Sequence, residues 1–440
     1  MRVLAALAAA LGLALAAAAC ERGAPARGRV LLVGIDGATM KLAGPLLAEG
    51  RLPNLSRLAR EGAHGPLESF VPLHSPRIWT TIATGKVPDK HGIKTFVHAL
   101  ADGSKALYLS SDRKAHALWN ITSDAGLVTS VVNWWTTFPP ERIEGVMVTD
   151  HLLKEELAKK RAAFGAQAPD PSAPTAHPEP WEARALAAAR ASDGLGPFPD
   201  PLAPIEGDPR WHEAMRVHKG WGATLRIMRE TRETDDAVTR IALAVERELH
   251  PAVALVFLPG IDRISHFLWG AFERDPAGGA AGPPGRLMEA GSELATLRGY
   301  YEHTDRLLGV LLAAYGPEDL VLVVSDHGFE RLEPTGSLVA TGGHETEAAS
   351  EGVLFARGPG IAPGGGTAGT TVNDVTPTIL AWLGLPLGAD MDGRPAAFLD
   401  RPAPKVIATY DTTPIARVPT ESRGAEQERL EELRALGYIE

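Results

Sequence analysis

Val30-Leu31-Leu32-Val33-Gly34-Ile35-Asp36 is an unbroken apolar run that ends on an acid. A strand with one wet face alternates apolar and polar residues. A run without alternation suits a strand covered on both faces, as in a parallel sheet between layers of helices. The pattern returns twice: Val253-Ala254-Leu255-Val256-Phe257-Leu258 leads into Pro259-Gly260-Ile261-Asp262, and Leu320-Val321-Leu322-Val323-Val324 leads into Ser325-Asp326-His327. Weaker runs lie at Leu127–Val132, Gly145–Val148, Gly352–Ala356 and Val406–Tyr410. Helical segments are expected at Pro53–Glu61, His74–Thr84, Ala115–Ala125, Arg286–Tyr315, Val375–Leu383 and Glu426–Leu436. Strands alternating with helices predict an α/β fold, a doubly wound and mostly parallel sheet flanked by helices.

The 440 residues suffice for a large core, so a disulfide-stapled miniature is excluded. Lys and Arg total 44 against 54 for Asp and Glu, a formal charge of −10, and no block of basic residues occurs. That balance, with aromatics at 6%, argues against a nucleic-acid partner. It does not bar anionic substrates where metal ions supply positive charge locally. The lone cysteine follows Met1-Arg2, an apolar stretch and Ala17-Ala18-Ala19, the order of a secretory signal. Cys20 then resembles the acylated residue of a bacterial lipoprotein, although Ala17 stands where that pattern prefers Leu. The expectation is an exported protein, periplasmic or at the cell surface, held to a membrane through an N-terminal lipid on Cys20. The competing reading is an uncleaved anchor, since the apolar stretch is near the lower limit for a span.

Along the chain this gives a signal and lipoprotein segment (1–20), a tether (21–28), a first part of the catalytic core (29–150), an inserted cap region (151–250) and a second part of the core with a C-terminal helix (251–440). The cap is inferred because Pro, Ala, Gly and Asp crowd residues 165–210 while strand patterns resume beyond them. A linker between two domains is the alternative.

In open α/β sheets, sites form beyond the carboxyl ends of the strands. Asp36, Asp262 and Asp326 each follow a buried strand, so all three are expected at one edge. Clustered carboxylates repel unless a cation lies among them. Asp262 and His266 are one helical turn apart and share a face. His327 adjoins Asp326, and His344 follows Gly342-Gly343, a pair that permits close backbone approach. Oxygen and imidazole donors without thiolates suit Zn2+, with Mn2+ as the alternative. Ser75-Pro76 reads as a loop entering a helix, where a hydroxyl sits among free N–H groups that attract anions.

These stretches resemble the alkaline phosphatase superfamily, specifically its type I phosphodiesterase/nucleotide pyrophosphatase branch. The resemblance is carried by Val33-Gly34-Ile35-Asp36-Gly37, Leu52 to Leu58, Ser75 to Gly85, Pro88 to Ile93, Gly260 to His266, Ser325 to Gly328, Gly343-His344 and Asp374 to Leu380. It runs from about residue 30 to 395, with 150–250 unmatched. It implies that Asp262, His266 and His344 hold one metal ion. Asp36, Asp326, His327 and the Ser75 oxygen would hold the other. It further implies hydrolysis of phosphate esters, mono- or diester, by in-line attack of Ser75 through a phosphoserine, on a small-molecule or lipid substrate.

Where relatives carry Thr as nucleophile and Asn three residues on, this chain has Ser75 and Ile78. The phosphate contact is then expected from backbone N–H groups, His74, Arg77 or Arg113. Two alternatives remain: a phosphotransferase moving a phosphate-linked head group onto lipid or glycan, and a metal-lacking surface binding protein on the same fold. A sulfatase would need Pro and Arg two and four residues after its nucleophile, whereas Pro76 and Arg77 follow Ser75 directly.

Overall fold

The computed structural model describes residues 28–100, 103–162, 173–192, 194–217, 219–274, 291–332, 341–420, 423 and 426–436. Cys20 and the signal segment lie outside the described residues. Nine strands form one sheet: β1 Val30–Ile35, β2 Ala63–Glu68, β3 Thr129–Val132, β4 Gly145–Val148, β5 Ala176–His177, β6 Val253–Leu258, β7 Leu320–Val324, β8 Glu351–Arg357 and β9 Gly365–Gly366. Their order is β9-β2-β8-β7-β1-β6-β3-β4-β5. The central five, from β7 through β4, are all parallel, whereas β8 and β5 run antiparallel to their neighbours.

The apolar runs behave as their lack of alternation requires. All of β1 is buried, with Leu31, Val33 and Ile35 in one apolar cluster and Val30 and Leu32 in the other. Helices Met40–Ala48, Pro53–Glu61, Lys219–Leu249, Gly260–Arg274 and Gly291–Leu312 cover the first face. Ser75–Thr84, Leu118–Asp124, Val375–Leu383 and the C-terminal Glu426–Leu436 cover the second.

Three expectations change. Within the stretch 151–250, expected as a cap, described elements pack into the core. Ala176–His177 extends the sheet edge, and Lys219–Leu249 lays Val238, Ile241 and Val245 against the face bearing Leu31 and Val33. The helix itself is legible in the sequence over Trp211–Leu249, and what the sequence does not show is that it packs on the sheet. Val406–Ile407 pairs with Leu387–Gly388 in a separate ribbon rather than joining the sheet, and Val406 is exposed. Conversely, β2 was not foreseen because it contains Gly65 and Pro66. Pro66 is tolerated because β9 pairs only with Ala63 and His64, so no outer neighbour needs its missing N–H. No described helix is long and apolar enough to cross a membrane.

Candidate active site

The register brings the acids together. Gly34 pairs with Val324 and Ile35 with Leu258, so β7, β1 and β6 end on nearly the same rung. Asp36, Asp326 and Asp262 therefore emerge at one edge of the sheet. Gly37 turns with φ +69°, and a β-carbon there would stand 2.6 Å from the Phe329 ring and 2.9 Å from the Asp262 α-carbon. Only glycine lets β1 end that close to Asp262. The Gly37 and Ala38 amides donate to Asp326 Oδ1 (3.4 Å) and Ser325 Oγ (2.8 Å), tying the first strand end to the third.

Two adjoining triads result: Asp262, His327 and His344, and Asp36, Asp326 and His327. Within each, the candidate ligand atoms lie within 4.8 Å of one another. His327 Nε2 stands 3.3 Å from Asp326 Oδ2 and 3.5 Å from Asp36 Oδ1. Asp262 Oδ1 is 3.5 Å from His266 Nε2 and 3.6 Å from His344 Nε2, and the His327 and His344 rings stack at 3.8 Å. His266 Nδ1 and His327 Nδ1 meet the carbonyls of Gly342 (3.1 Å) and Gly328 (3.0 Å). A carbonyl only accepts, so each Nδ1 carries the proton and each Nε2 presents a lone pair inward. The Gly342 approach is close enough that a β-carbon would meet Ser265 O at 2.5 Å.

The electrostatics of the cluster suit a divalent cation. Burial, with repulsion from Asp262, pushes Asp36 up to about 7. Burial, with Asp36 beside it, holds Asp326 well above the ordinary carboxylate range. Burial would raise Asp262 too, but the His266, His344 and His327 imidazoles overcome it and hold it low. Burial lowers His327 to about 4 and His344 well below its usual value. The imidazoles are thus neutral and ligand-ready, while protons stand between the acids where a dication would relieve them. Asp36 Oδ1, Asp326 Oδ2, His327 Nε2 and Ser75 Oγ are buried without a hydrogen bond. Orphaned lone pairs of this kind, on oxygen and imidazole nitrogen, fit divalent metal.

Ser75 is the first residue of helix Ser75–Thr84, with His74 as the capping position, one residue earlier than the Ser-Pro signature suggests. Its hydroxyl is 0% exposed and caps nothing. Trp79, one turn along the helix, packs its ring under Gly34 of β1, where a β-carbon would meet it at 2.6 Å. Pro76 lacks an N–H, and the Arg77 and Ile78 amides both bond His74 O, so the expected backbone cradle is largely spent. His74 lies close enough to disfavour protonation of His327, and its own Nδ1 is buried without a partner. Arg77 packs its guanidinium 5.0 Å over Phe70, with Nε unbonded.

Arg113 is corrected. It is 2% exposed, bonds both Glu141 oxygens (2.7 and 2.8 Å) and covers the Trp119 ring, so its fork is committed to an interior acid. His91 bonds Thr81 Oγ at 3.0 Å and accepts from the Ile93 amide, fixing a loop. The Trp135 indole donates to Asp36 Oδ2 at 3.4 Å. It lies three residues beyond β3, on the segment leaving that strand's carboxyl end.

The sequence of the core agrees with this chemistry. Residues 30–361, more than half of the chain, match the family described as type I phosphodiesterase/nucleotide pyrophosphatase. The chain belongs to that family, a group of phosphoryl-transfer hydrolases in the alkaline phosphatase superfamily. Solved structures with a similar fold include phosphonoacetate hydrolase from Sinorhizobium meliloti 1021 in complex with phosphonoacetate, at 17% identity and TM-score 0.43 over 70% of this chain. The chain spans only 58% of that protein's length. Murine ectonucleotide pyrophosphatase/phosphodiesterase 5, in an inactive form with AMP, is 12% identical with TM-score 0.43, covering 81% of this chain and 95% of that one. The 2-O GAG sulfatase BT1596 is 12% identical with TM-score 0.48, covering 83% and 73%. No curated protein matches the sequence.

Proposed function

We propose that the protein is an exported two-metal hydrolase of phosphate esters that works through a phosphoserine on Ser75. The observation that carries the reading is the pair of buried triads sharing His327, and the buried Ser75 hydroxyl without a hydrogen-bond partner supports it. Asp262, His266 and His344 would hold one divalent ion, and Asp36, Asp326, His327 and the Ser75 oxygen the other. The ions, Zn2+ or else Mn2+ on this donor set, would supply Lewis acidity and cancel the charge of three carboxylates and an alkoxide.

The chain's own residues do the rest. Ser75 Oγ bonds to phosphorus as the ester oxygen leaves on the opposite side, and water later takes the phosphoryl group from it. Trp135 orients Asp36, and the Gly342 and Gly328 carbonyls fix the imidazole tautomers. His74 and Arg77 are the side chains available to the phosphate oxygens once Ile78 stands in place of Asn. Anchoring through Cys20 would keep the enzyme beside small or lipid phosphate esters at a membrane surface.

The test is parallel turnover of para-nitrophenyl phosphate and bis(para-nitrophenyl) phosphate by the metal-loaded protein, with Ser75→Ala as control. Full activity in that variant would end the nucleophile assignment. Turnover only when an alcohol acceptor is supplied would point to transfer in place of hydrolysis.

A further inference from the structure

Asn133 (φ 62°) and Thr136 (φ 56°) have left-handed backbone, and together they frame Trp134-Trp135 beyond β3. Asparagine tolerates that conformation, but a β-branched threonine rarely adopts it unless surrounding contacts impose it. Those contacts are present. Asn133 Nδ2 donates to the Phe257 carbonyl at 3.2 Å. Asp150, two residues beyond β4, accepts from the Thr136, Thr137 and Phe138 amides, each at 3.2 Å, and from the Thr137 hydroxyl at 3.1 Å. One carboxylate thus folds the turn that delivers the Trp135 indole to Asp36.

The far side of that indole is covered by the C-terminal helix. Arg429 is 4% exposed, and its guanidinium lies 4.1 Å over the Trp135 ring. Its Nη2 stands 3.5 Å from Asp150 Oδ2, and its Nη1 donates to the Asp150 carbonyl at 3.5 Å. A single side chain therefore touches both the ring that faces Asp36 and the acid that shapes the turn beneath it. A desolvated guanidinium is drawn to an indole face, and its pairing with Asp150 keeps the buried charge matched. Leu430 and Leu433 seat the helix in the second apolar cluster, and Glu426 accepts from the Leu107 amide at 2.8 Å. This helix lies beyond the stretch that matches the family, which ends at residue 361.

We infer that Arg429 is a positioning residue for the metal centre: it holds the Trp135 indole against Asp36, so the C-terminal helix sets how firmly the ion beside Asp36 is kept. The ion beside Asp262, which Trp135 does not face, is outside its reach. The inference rests on the two-metal hydrolase reading of the site.

The experiment is Zn2+ competition with a chromogenic chelator, made in two backgrounds. In His266→Ala protein the ion beside Asp36 is the one left, and in Asp326→Ala protein it is the ion beside Asp262. Arg429→Met and the milder Arg429→Gln should each weaken retention in the first background by about three- to tenfold. In the second background retention should stay within about twofold. Arg429→Lys, which returns a cation to the ring, should recover most of the loss. With Trp135→Phe, whose ring has no N–H for Asp36, Arg429→Gln should have no further effect, whereas a general loosening of the fold would add to it. Turnover of bis(para-nitrophenyl) phosphate lost at limiting Zn2+ should return at saturating Zn2+, since Arg429 acts through Trp135. Unchanged retention beside Asp36, equal losses in the two backgrounds, or losses that add to that of Trp135→Phe overturn the inference. Retention needs no substrate, so this pattern in a protein without turnover would sink the hydrolase reading alone.

Discussion

Replacing Ser75 by Ala should move stability and activity in opposite directions. Ser75 Oγ is fully buried and has no hydrogen-bond partner in the metal-free protein. An unsatisfied buried hydroxyl costs about 1–3 kcal/mol, so its deletion removes that penalty. The small void left behind returns part of it, on the order of 0.5–1 kcal/mol. The net expectation is a metal-stripped variant as stable as the parent or more stable by up to about 2 kcal/mol. Helix formation is unaffected, because His74 and not Ser75 occupies the capping position. Once metal is restored, the gain should vanish or reverse, since the parent's hydroxyl then has a partner. Turnover should fall on the order of a thousandfold or more, the scale of losing a nucleophile. Urea unfolding of chelator-treated and reloaded proteins, followed by para-nitrophenyl ester assays on the same samples, reads all three quantities. A metal-stripped variant less stable than the parent by more than about 1 kcal/mol would show that the hydroxyl is already satisfied. The reasoning from its orphaned oxygen would then be wrong.

The same geometry makes four further predictions. His327→Ala and His266→Ala should each lower bound metal from two equivalents toward one, because each removes a ligand of one ion, His327 beside Asp36 and Asp326 and His266 beside Asp262; elemental analysis after gel filtration reads the loss. Metal uptake near pH 6 should release about one to two protons per protein, read by calorimetry in buffers of differing ionisation enthalpy. Asp36 sits at about 7 in the metal-free fold, above its unfolded value near 3.8. Its contribution to metal-free stability is therefore complete below that unfolded value and lost as pH rises through about 7. His327, lowered to about 4, works the other way, stabilising above about 6.5 and losing that contribution as pH falls through about 4. The released protons should thus come from the Asp36–Asp326 pair and fade above pH 7, and no release near pH 6 would contradict this. Trp135→Phe should keep the fold and weaken metal retention at the Asp36 triad by about three- to tenfold in chelator competition, through loss of one indole donor. Glu141→Gln should destabilise by about 3–5 kcal/mol in urea with metal content and turnover per folded molecule intact, since it strands the buried Arg113 charge away from the chemistry.

The legible part of this site was the part written into the backbone. Three apolar runs ending in Asp state both that the strands are covered on two faces and where their chemistry emerges. The register, Ile35 on Leu258 and Gly34 on Val324, turns that statement into proximity. What stayed hidden depends on side chains finding each other across long stretches of chain. Arg113 looked available because its sequence neighbours are polar, yet Glu141 and Trp119 take it inward. The apolar spacing of Lys219–Leu249 looked like an appendage behind Pro-rich text, yet it closes one face of the sheet. Strand ends obey a rule that needs no tertiary knowledge, whereas the partner of a buried arginine is fixed only once the layers are assembled.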